Sequence, residues 1–242
     1  EKMKGVILAG GTGSRLSPIT DVTNKHLLPV GSKPMISHVV EKMVKAEVLD
    51  IMIITGTEHM GDMISLLGSG EKYGCEFTFR IQERAHGIAD ALRLTESFIN
   101  NDKFIVILGD NMFEDDLSKY IKEYKNSDSP CFLLLKEVPD PERYGIAILN
   151  EAGKIIAAVE KPRVPMSNLC ITGIYMYDRS VFDKIKNLTP SDRGEYEITE
   201  LNHKYIEEGL ASYGTLDGWW TDAGTFSSYH KANNLMYHLS NK

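Results

Sequence analysis

Residues 3–9 (MKGVILA) form a short apolar run that stops at Gly10-Gly11, the pattern of a buried strand. Pro34 opens a stretch in which Met35, Ile36, Val39, Val40, Met43 and Val44 recur at helical spacing, with proline at a tolerated first-turn position. Asp50 leads into the apolar IMIIT, a second buried strand, and 59–67 reads as a short helix ended by Gly68. Phe77, Phe79 and Ile81 alternate as a strand does. Residues 88–99 read as a helix, and Phe104-IVIL is a further apolar strand running into Gly109-Asp110. Alternating β and α segments with near-continuous apolar strands predict a mostly parallel sheet covered on both faces.

The second half changes character. Strands are expected near 131–138, 144–149, 155–160 and 170–177, with little helix between the middle pair, so the sheet should be mixed. Helices are expected near 179–187, 197–208 and 225–240. No repeat, low-complexity run or linker interrupts the chain, so a single α/β domain over 1–242 is predicted, with halves at about 3–130 and 131–225. In open sheets of this kind ligands bind beyond the carboxyl ends of the strands, which is where chemistry should be sought.

Composition narrows the class. With 42% hydrophobic and 25% charged residues the chain has the balance of an ordinary globular protein. It contains no run of ~20 apolar residues and no signal-peptide layout at its amino terminus, where Met3 reads as the natural start; no membrane partner and a cytoplasmic location are expected. Cys75, Cys131 and Cys170 are odd in number and widely spaced, which predicts free thiols in a reducing compartment. A net charge of −7 argues against nucleic-acid binding. Residues 1–34 nevertheless carry Lys2, Lys4, Arg15, Lys25 and Lys33 against Glu1 and Asp21, a basic, glycine-rich patch that points to a local anion site.

That patch follows the first strand as Gly10-Gly11-Thr12-Gly13-Ser14-Arg15-Leu16. Glycines let the backbone approach a ligand and turn its N–H groups towards phosphate oxygens. A dinucleotide fingerprint would need a third glycine where Leu16 stands, and a P-loop would need lysine and serine or threonine where Ser14-Arg15 stands. The longer stretch LAGGTGSRLSPIT…NKHLLPVGSKPMI closely resembles the signature of the sugar nucleotidyltransferase family, and within it the glucose-1-phosphate thymidylyltransferase branch. The resemblance runs from Met3 to about Thr225 and implies a Rossmann-like nucleotide-diphospho-sugar transferase fold, nucleotide side first and sugar side second.

By that resemblance Leu8, Gly10, Gly11, Thr12, Gly13, Ser14, Gln82 and Gly87 hold the nucleotide. Arg15, a planar and permanently charged group, would hold the departing β- and γ-phosphates, with Lys25 adding a second positive charge. Asp110, at the end of FIVILGD, and Asp222, in WWTDAGT, would bind Mg²⁺, which takes one or two carboxylates besides substrate phosphates. Tyr144, Gly145, Glu160, Lys161, Thr172, Gly173 and Arg193 would hold the sugar phosphate, Lys161 also counting as catalytic. Three departures are visible: Ala85 where proline is usual, Asp90 where glutamine is often seen, and Tyr196 in place of leucine. Thymine over uracil is therefore open, and a methyl group is worth only about 1–3 kcal/mol, so use of both dTTP and UTP is expected.

The implied reaction joins dTTP and glucose 1-phosphate to give dTDP-glucose and pyrophosphate, feeding dTDP-deoxysugar (rhamnose) and polysaccharide synthesis, in a homo-oligomer of four or two chains. The alternatives are another sugar nucleotide, such as UDP-glucose or GDP-mannose, and a non-catalytic sensor of sugar nucleotides. The presence of Arg15, Lys25, Asp110 and Asp222 together argues against the sensor. The seven histidines form no metal pattern, and no Gly-x-Ser-x-Gly elbow is present.

Overall fold

The computed structural model of the protein describes residues 2–240. Its strands are β1 (Met3–Ala9), β2 (Pro29–Val30), β3 (Lys33–Pro34), β4 (Asp50–Thr55), β5 (Glu76–Ile81), β6 (Lys103–Leu108) and β7 (Asn111–Phe113). They continue with β8 (Cys131–Glu137), β9 (Gly145–Leu149), β10 (Ile155–Glu160), β11 (Leu169–Tyr177), β12 (Ala211–Thr215) and β13 (Trp220–Asp222). The α-helices are α1 (Met35–Lys45), α2 (Met60–Leu67), α3 (Ile88–Arg93), α4 (Glu96–Ile99), α5 (Ser118–Lys125), α6 (Ser180–Lys186), α7 (Ile198–Glu207) and α8 (Phe226–Ser240).

The chain divides into two compact units. An amino-terminal unit holds Gly5–Ala85, Ile107–Ser118 and the chain from Gly218 onward; a central unit holds the residues up to Lys4, His86–Val106 and Lys119–Asp217. The halves expected at 3–130 and 131–225 follow chain order. These units interleave instead, because the chain re-enters the amino-terminal unit after Val106 and again after Asp217.

In the amino-terminal unit β1 pairs in parallel with β4, from Gly5↔Ile51 to Ala9↔Thr55, and β4 with β5. The apolar runs of β1 and β4 are almost wholly buried, whereas β5 alternates and keeps one face outside. Helix α1 turns Met35, Ile36, Val39, Val40 and Met43 inward, all fully buried, as their spacing requires.

The central unit has the mixed sheet expected from the sequence. Strand β11 runs antiparallel to β8, β9 antiparallel to β10, and β12 parallel to β8. The β9–β10 hairpin is closed by its five-residue loop, where Lys154 N donates to Asn150 Oδ1 at 2.9 Å and Gly153 N to Asn150 O at 2.9 Å. An aromatic cluster fills the core. Phe104 stacks on Phe182 at 5.9 Å and lies 6.1 Å from Tyr177, which stacks in turn on Tyr205. The Tyr177 hydroxyl donates to Asn202 Oδ1 at 2.5 Å.

Two features depart from the sequence reading. The helix expected over 88–99 is broken into α3 and α4, since buried Thr95 donates its hydroxyl to Leu92 O at 2.7 Å and competes for the helical backbone. Strands β2, β3, β7, β12 and β13 and helix α5 lie where no element was expected. The three cysteines are free thiols, and no helix among the described residues is long and apolar enough to cross a membrane.

Because Phe104 is fully buried between aromatic rings, Phe104→Ala should cost about 3–5 kcal/mol of stability. A urea-unfolding midpoint displaced at unchanged slope would register it, and a loss of under about 1 kcal/mol would contradict this packing.

Candidate active site

Strand β1 ends at Ala9, and the glycine loop begins. Gly11 and Gly13 adopt positive φ, 96° and 62°, which glycine reaches without a Cβ penalty. The single turn Ser14–Leu16 then buries Leu16 and leaves Thr12, Ser14 and Arg15 outward. Asn24 stitches the following segment to the strand end: its Nδ2 donates to Ala9 O at 3.1 Å, and its Oδ1 accepts from His26 N at 2.8 Å and faces His26 Nδ1 at 2.7 Å. Gln82 continues the parallel pairing by donating its N–H to Thr55 O at 2.8 Å, and its Oε1 stands 3.8 Å from where a Cβ on Gly10 would be. The Leu8 carbonyl accepts from Gly109 N at 2.9 Å, which fixes the turn that carries Asp110.

Asp110 Oδ2 accepts from Lys25 Nζ at 2.7 Å, a pair that is largely buried. Burial opposes ionisation of Asp110, but the charge and hydrogen bond of Lys25, with the Asn111 amide, outweigh it and hold the carboxyl well below the usual carboxylate range. The same burial, with Lys25 beside it, pushes His26 down to about 3 against the pull of Asp110. His26 is therefore neutral at pH 7, and it packs against Gly109, where a Cβ would stand 2.7 Å from its ring.

Asp222 comes to Asp110 through strand pairing. Strands β7 and β13 form an antiparallel ribbon with Trp220↔Phe113, Thr221↔Met112 and Asp222↔Asn111. Within it Trp220 Nε1 donates to Asn111 Oδ1 at 2.8 Å, and Asn111 Nδ2 donates to Asp110 Oδ1 at 3.2 Å. Asp222 Oδ2 accepts from Gly224 N at 3.2 Å and Ser228 Oγ at 3.3 Å. The cap of α8 comes from Thr225 and Ser228, whose side chains each accept the other's backbone N–H.

Three charged groups converge on Gly224. A Cβ there would lie 3.1 Å from Arg15 Nη2, 3.2 Å from Asp222 Oδ2 and 3.3 Å from Asp110 Oδ2. Among the described residues no three His, Cys, Asp or Glu side chains are grouped to hold a metal. Two carboxylate oxygens around one small cradle suit a hard cation that draws its other ligands from phosphates and water.

The residues expected to hold the sugar phosphate fall in the central unit. Gly145 pairs with Glu160 across the β9–β10 hairpin, and Lys161 N donates to Tyr144 O at 3.0 Å. Glu160 Oε2 accepts from Thr199 Oγ1 at 2.6 Å, and a Cβ on Gly145 would stand only 3.1 Å from that carboxylate oxygen. A cavity of about 850 Å³ is lined by Glu160, Lys161, Arg193 and Thr199 among others. Arg193 reaches it while paired to Glu197 at 2.7 Å and Glu195 at 3.5 Å. Thr172 is fully buried with its hydroxyl donated to Leu134 O at 2.7 Å, so it and Gly173 can offer a ligand only backbone. They sit where the β11–β8 register shifts.

Gly87 lies in the central unit, whereas Gln82 lies in the other. Its φ of 97° and the Tyr196 backbone, 2.6 Å from where a Cβ would be, give it a packing role. Asp90 is engaged by Arg93 Nε and Nη2 at 3.2 and 3.1 Å. Sequence reasoning missed Thr199, Asn24, Trp220 and Gly224. Asn24, Trp220 and Gly224 stood inside motifs already quoted, but the long-range pairings that engage Asn24, Trp220 and Thr199 have no sequence signal.

A model of the nucleotidyl transferase family matches residues 4–238. Agl11, a low-salt glycan biosynthesis nucleotidyltransferase of Haloferax volcanii, is 37% identical over 97% of this chain, which spans 66% of that relative's length. A glucose-1-phosphate thymidylyltransferase of Neisseria meningitidis is 38% identical over 99% of this chain and 84% of its own. Among solved structures, a Bacillus anthracis chain provisionally assigned as a glucose-1-phosphate thymidylyltransferase, in complex with sucrose, superimposes with a TM-score of 0.93 and 55% identity, covering 96% of this chain and 94% of its own. A UDP-glucose pyrophosphorylase bound to UDP-glucose gives a TM-score of 0.84 and 25% identity, covering 98% and 99%. The α/β architecture with its mixed, mostly parallel sheet flanked by helices is thus shared with sugar-nucleotide enzymes. With the signature loop, its basic groups and the paired aspartates on the same chain, the protein belongs to the nucleotidyl transferase family and is a nucleotidyltransferase.

Proposed function

We propose that the protein is a Mg²⁺-dependent glucose-1-phosphate thymidylyltransferase. A phosphate oxygen of glucose 1-phosphate attacks the α-phosphorus of dTTP; the new O–P bond forms as the bond to the β-phosphate bridging oxygen breaks, and pyrophosphate leaves with that electron pair. The observation that carries the reading is the meeting of the Arg15 guanidinium with the Asp110 and Asp222 carboxylates over Gly224, beside the Lys25 ammonium. Transfers of this kind need positioned phosphates and neutralised charge more than covalent help from protein.

Arg15 would take the leaving phosphates in bidentate fashion, and Lys25 keeps Asp110 ionised while adding positive charge. When bound between the two aspartates, Mg²⁺ would supply charge neutralisation on the pyrophosphate. Gln82, whose side-chain oxygen lies beside Gly10 of the glycine loop, would read the base edge, and Glu160 would accept from two sugar hydroxyls. Lys161 and Arg193 would bind the sugar phosphate. Following the resemblance, the enzyme is a homo-oligomer of the cytoplasm, and its product enters deoxysugar synthesis, rhamnose included. A second reading, uridylyl transfer to glucose 1-phosphate, draws support from the likeness to the UDP-glucose pyrophosphorylase bound to UDP-glucose.

Pyrophosphate release should depend on glucose 1-phosphate and be faster with dTTP than with UTP, GTP or ATP. Fastest release with UTP would transfer the assignment to the second reading; none from any pair would remove the enzyme reading. Arg15→Ala should slow turnover by ~10²–10³-fold, the usual loss for one transition-state charge partner, and an unchanged rate would refute its role. Gly145→Ala should displace the Glu160 carboxylate and raise KM for glucose 1-phosphate about tenfold, the loss of one hydrogen bond to a charged group. Steady-state KM values for both substrates check this, since KM for dTTP should stay constant.

A further inference from the structure

Asp110 and Asp222 owe their proximity to β7 and β13, and a lone two-stranded pairing of three residues is too short to hold itself. Beyond Phe113 the chain turns through Glu114-Asp115-Asp116, and this turn is tied from two directions. One set of ties runs to the approach of β13. Glu114 N donates to Trp219 O at 3.0 Å, Trp219 N donates to the Glu114 carboxylate at 3.2 Å, and Gly218 N donates to the Asp115 carboxylate at 2.6 Å. The contact is close, since a Cβ on Gly218 would stand 2.7 Å from Glu114 Cβ.

The other ties come from α1. Lys42 Nζ donates to Glu114 O at 2.6 Å and to Asp115 O at 2.8 Å, and sits 5.1 Å from the centre of the Phe113 ring. Lys45 also reaches the turn, at 3.0 Å from Asp116, but both side chains of that pair are exposed and such a pair contributes little. Lys42 differs in kind. Burial, and then Lys45, lower its pKa against the three acids of the turn, which marks an ammonium partly withdrawn from water. It is spent on main-chain carbonyls and not on a carboxylate, so it fixes the path of the backbone itself. Its own helix is anchored by a fully buried apolar face.

We propose that Lys42 is a positioning residue for the two-carboxylate centre: from α1 it fixes the 114–116 turn, and through that turn the register of β13 on β7 and the spacing of Asp222 and Asp110. The inference rests on the reading of those aspartates as cation ligands.

Mn²⁺ is the probe, titrated in the presence of dTTP without sugar phosphate and read by its electron paramagnetic resonance signal. Lys42→Met keeps an aliphatic stem over Phe113 and loses the ammonium that makes both hydrogen bonds. Its Mn²⁺ affinity should fall about tenfold, the lower end of the range for partners that orient metal ligands. Turnover should fall by a similar factor while KM for glucose 1-phosphate is unchanged. Lys42→Arg, which can also donate to two carbonyls, should restore most of the loss, and Lys45→Met should match the unmodified protein. Unaltered Mn²⁺ affinity in Lys42→Met, with only its thermal midpoint lowered, overturns the proposal and leaves a brace for the fold. Should Lys42→Met not fold, Gly218→Ala strains the same turn and carries the same expectation and the same overturning result. If the unmodified protein binds no Mn²⁺, or Asp222→Asn leaves binding untouched, the reading of the aspartates falls first and the role of Lys42 with it.

Discussion

Pairing of Asp222 with Asn111 across a three-residue ribbon is the constraint on which the candidate site depends. The two aspartates stand 112 positions apart in a chain that leaves and re-enters the amino-terminal unit between them. Antiparallel register brings them together without either strand being long. Hydrogen bonds then fix what register alone leaves loose: Trp220 holds Asn111, Asn111 holds Asp110, and Lys25 completes the chain on the other carboxylate oxygen. A hydrogen-bonded series of this kind restricts side chains more than separate pairs would.

Electrostatics follow from that placement. An isolated buried carboxylate would give up its charge, because desolvation favours the neutral form. Lys25 at 2.7 Å reverses the outcome for Asp110 and, with burial, keeps His26 neutral beside it. A neutral His26 adds no third positive charge, and its ring fills the space under Gly109 while its Nδ1 meets Asn24. The positive charge of the region therefore resides in Arg15 and Lys25, which belong to the local excess of cations over residues 1–34.

Much of this was legible because it is periodic or local. The apolar runs of β1, β4 and β6 and the helical spacing of α1 can be read from single segments, since burial on one face dictates each residue in turn. The glycine loop could be named because it follows a strand end, and Arg15, Asp110 and Asp222 because they stand in compact motifs that resemble a family signature. What could not be read is whatever depends on a partner far along the chain. Ribbon strands β7 and β13 have three residues each, too few for a pattern. The resemblance names Thr172 for the sugar side but not the partner of its hydroxyl, Leu134 O, which is reached through sheet pairing 38 positions away. The break at Thr95 was invisible because a single side-chain hydrogen bond outweighed a sound helical spacing.

The two groups of candidate residues differ in how firmly they are held, and the difference bears on catalysis. Lys25 and Asp110 form a mostly buried pair whose loss would strand a desolvated charge, so their geometry is fixed before any ligand arrives. Arg193 is largely exposed, and its links to Glu197 and Glu195 are pairs of the kind that contributes roughly 0–1 kcal/mol. Such pairs keep the guanidinium at the cavity and, in the proposed role, would give it up to a phosphate at little cost. Charge that must meet a transition state is best set in advance, since reorganisation then adds nothing to the barrier. Charge that must first capture and later release a sugar phosphate is better held loosely. On the proposed roles, a rigid Lys25 and a yielding Arg193 would meet those two demands.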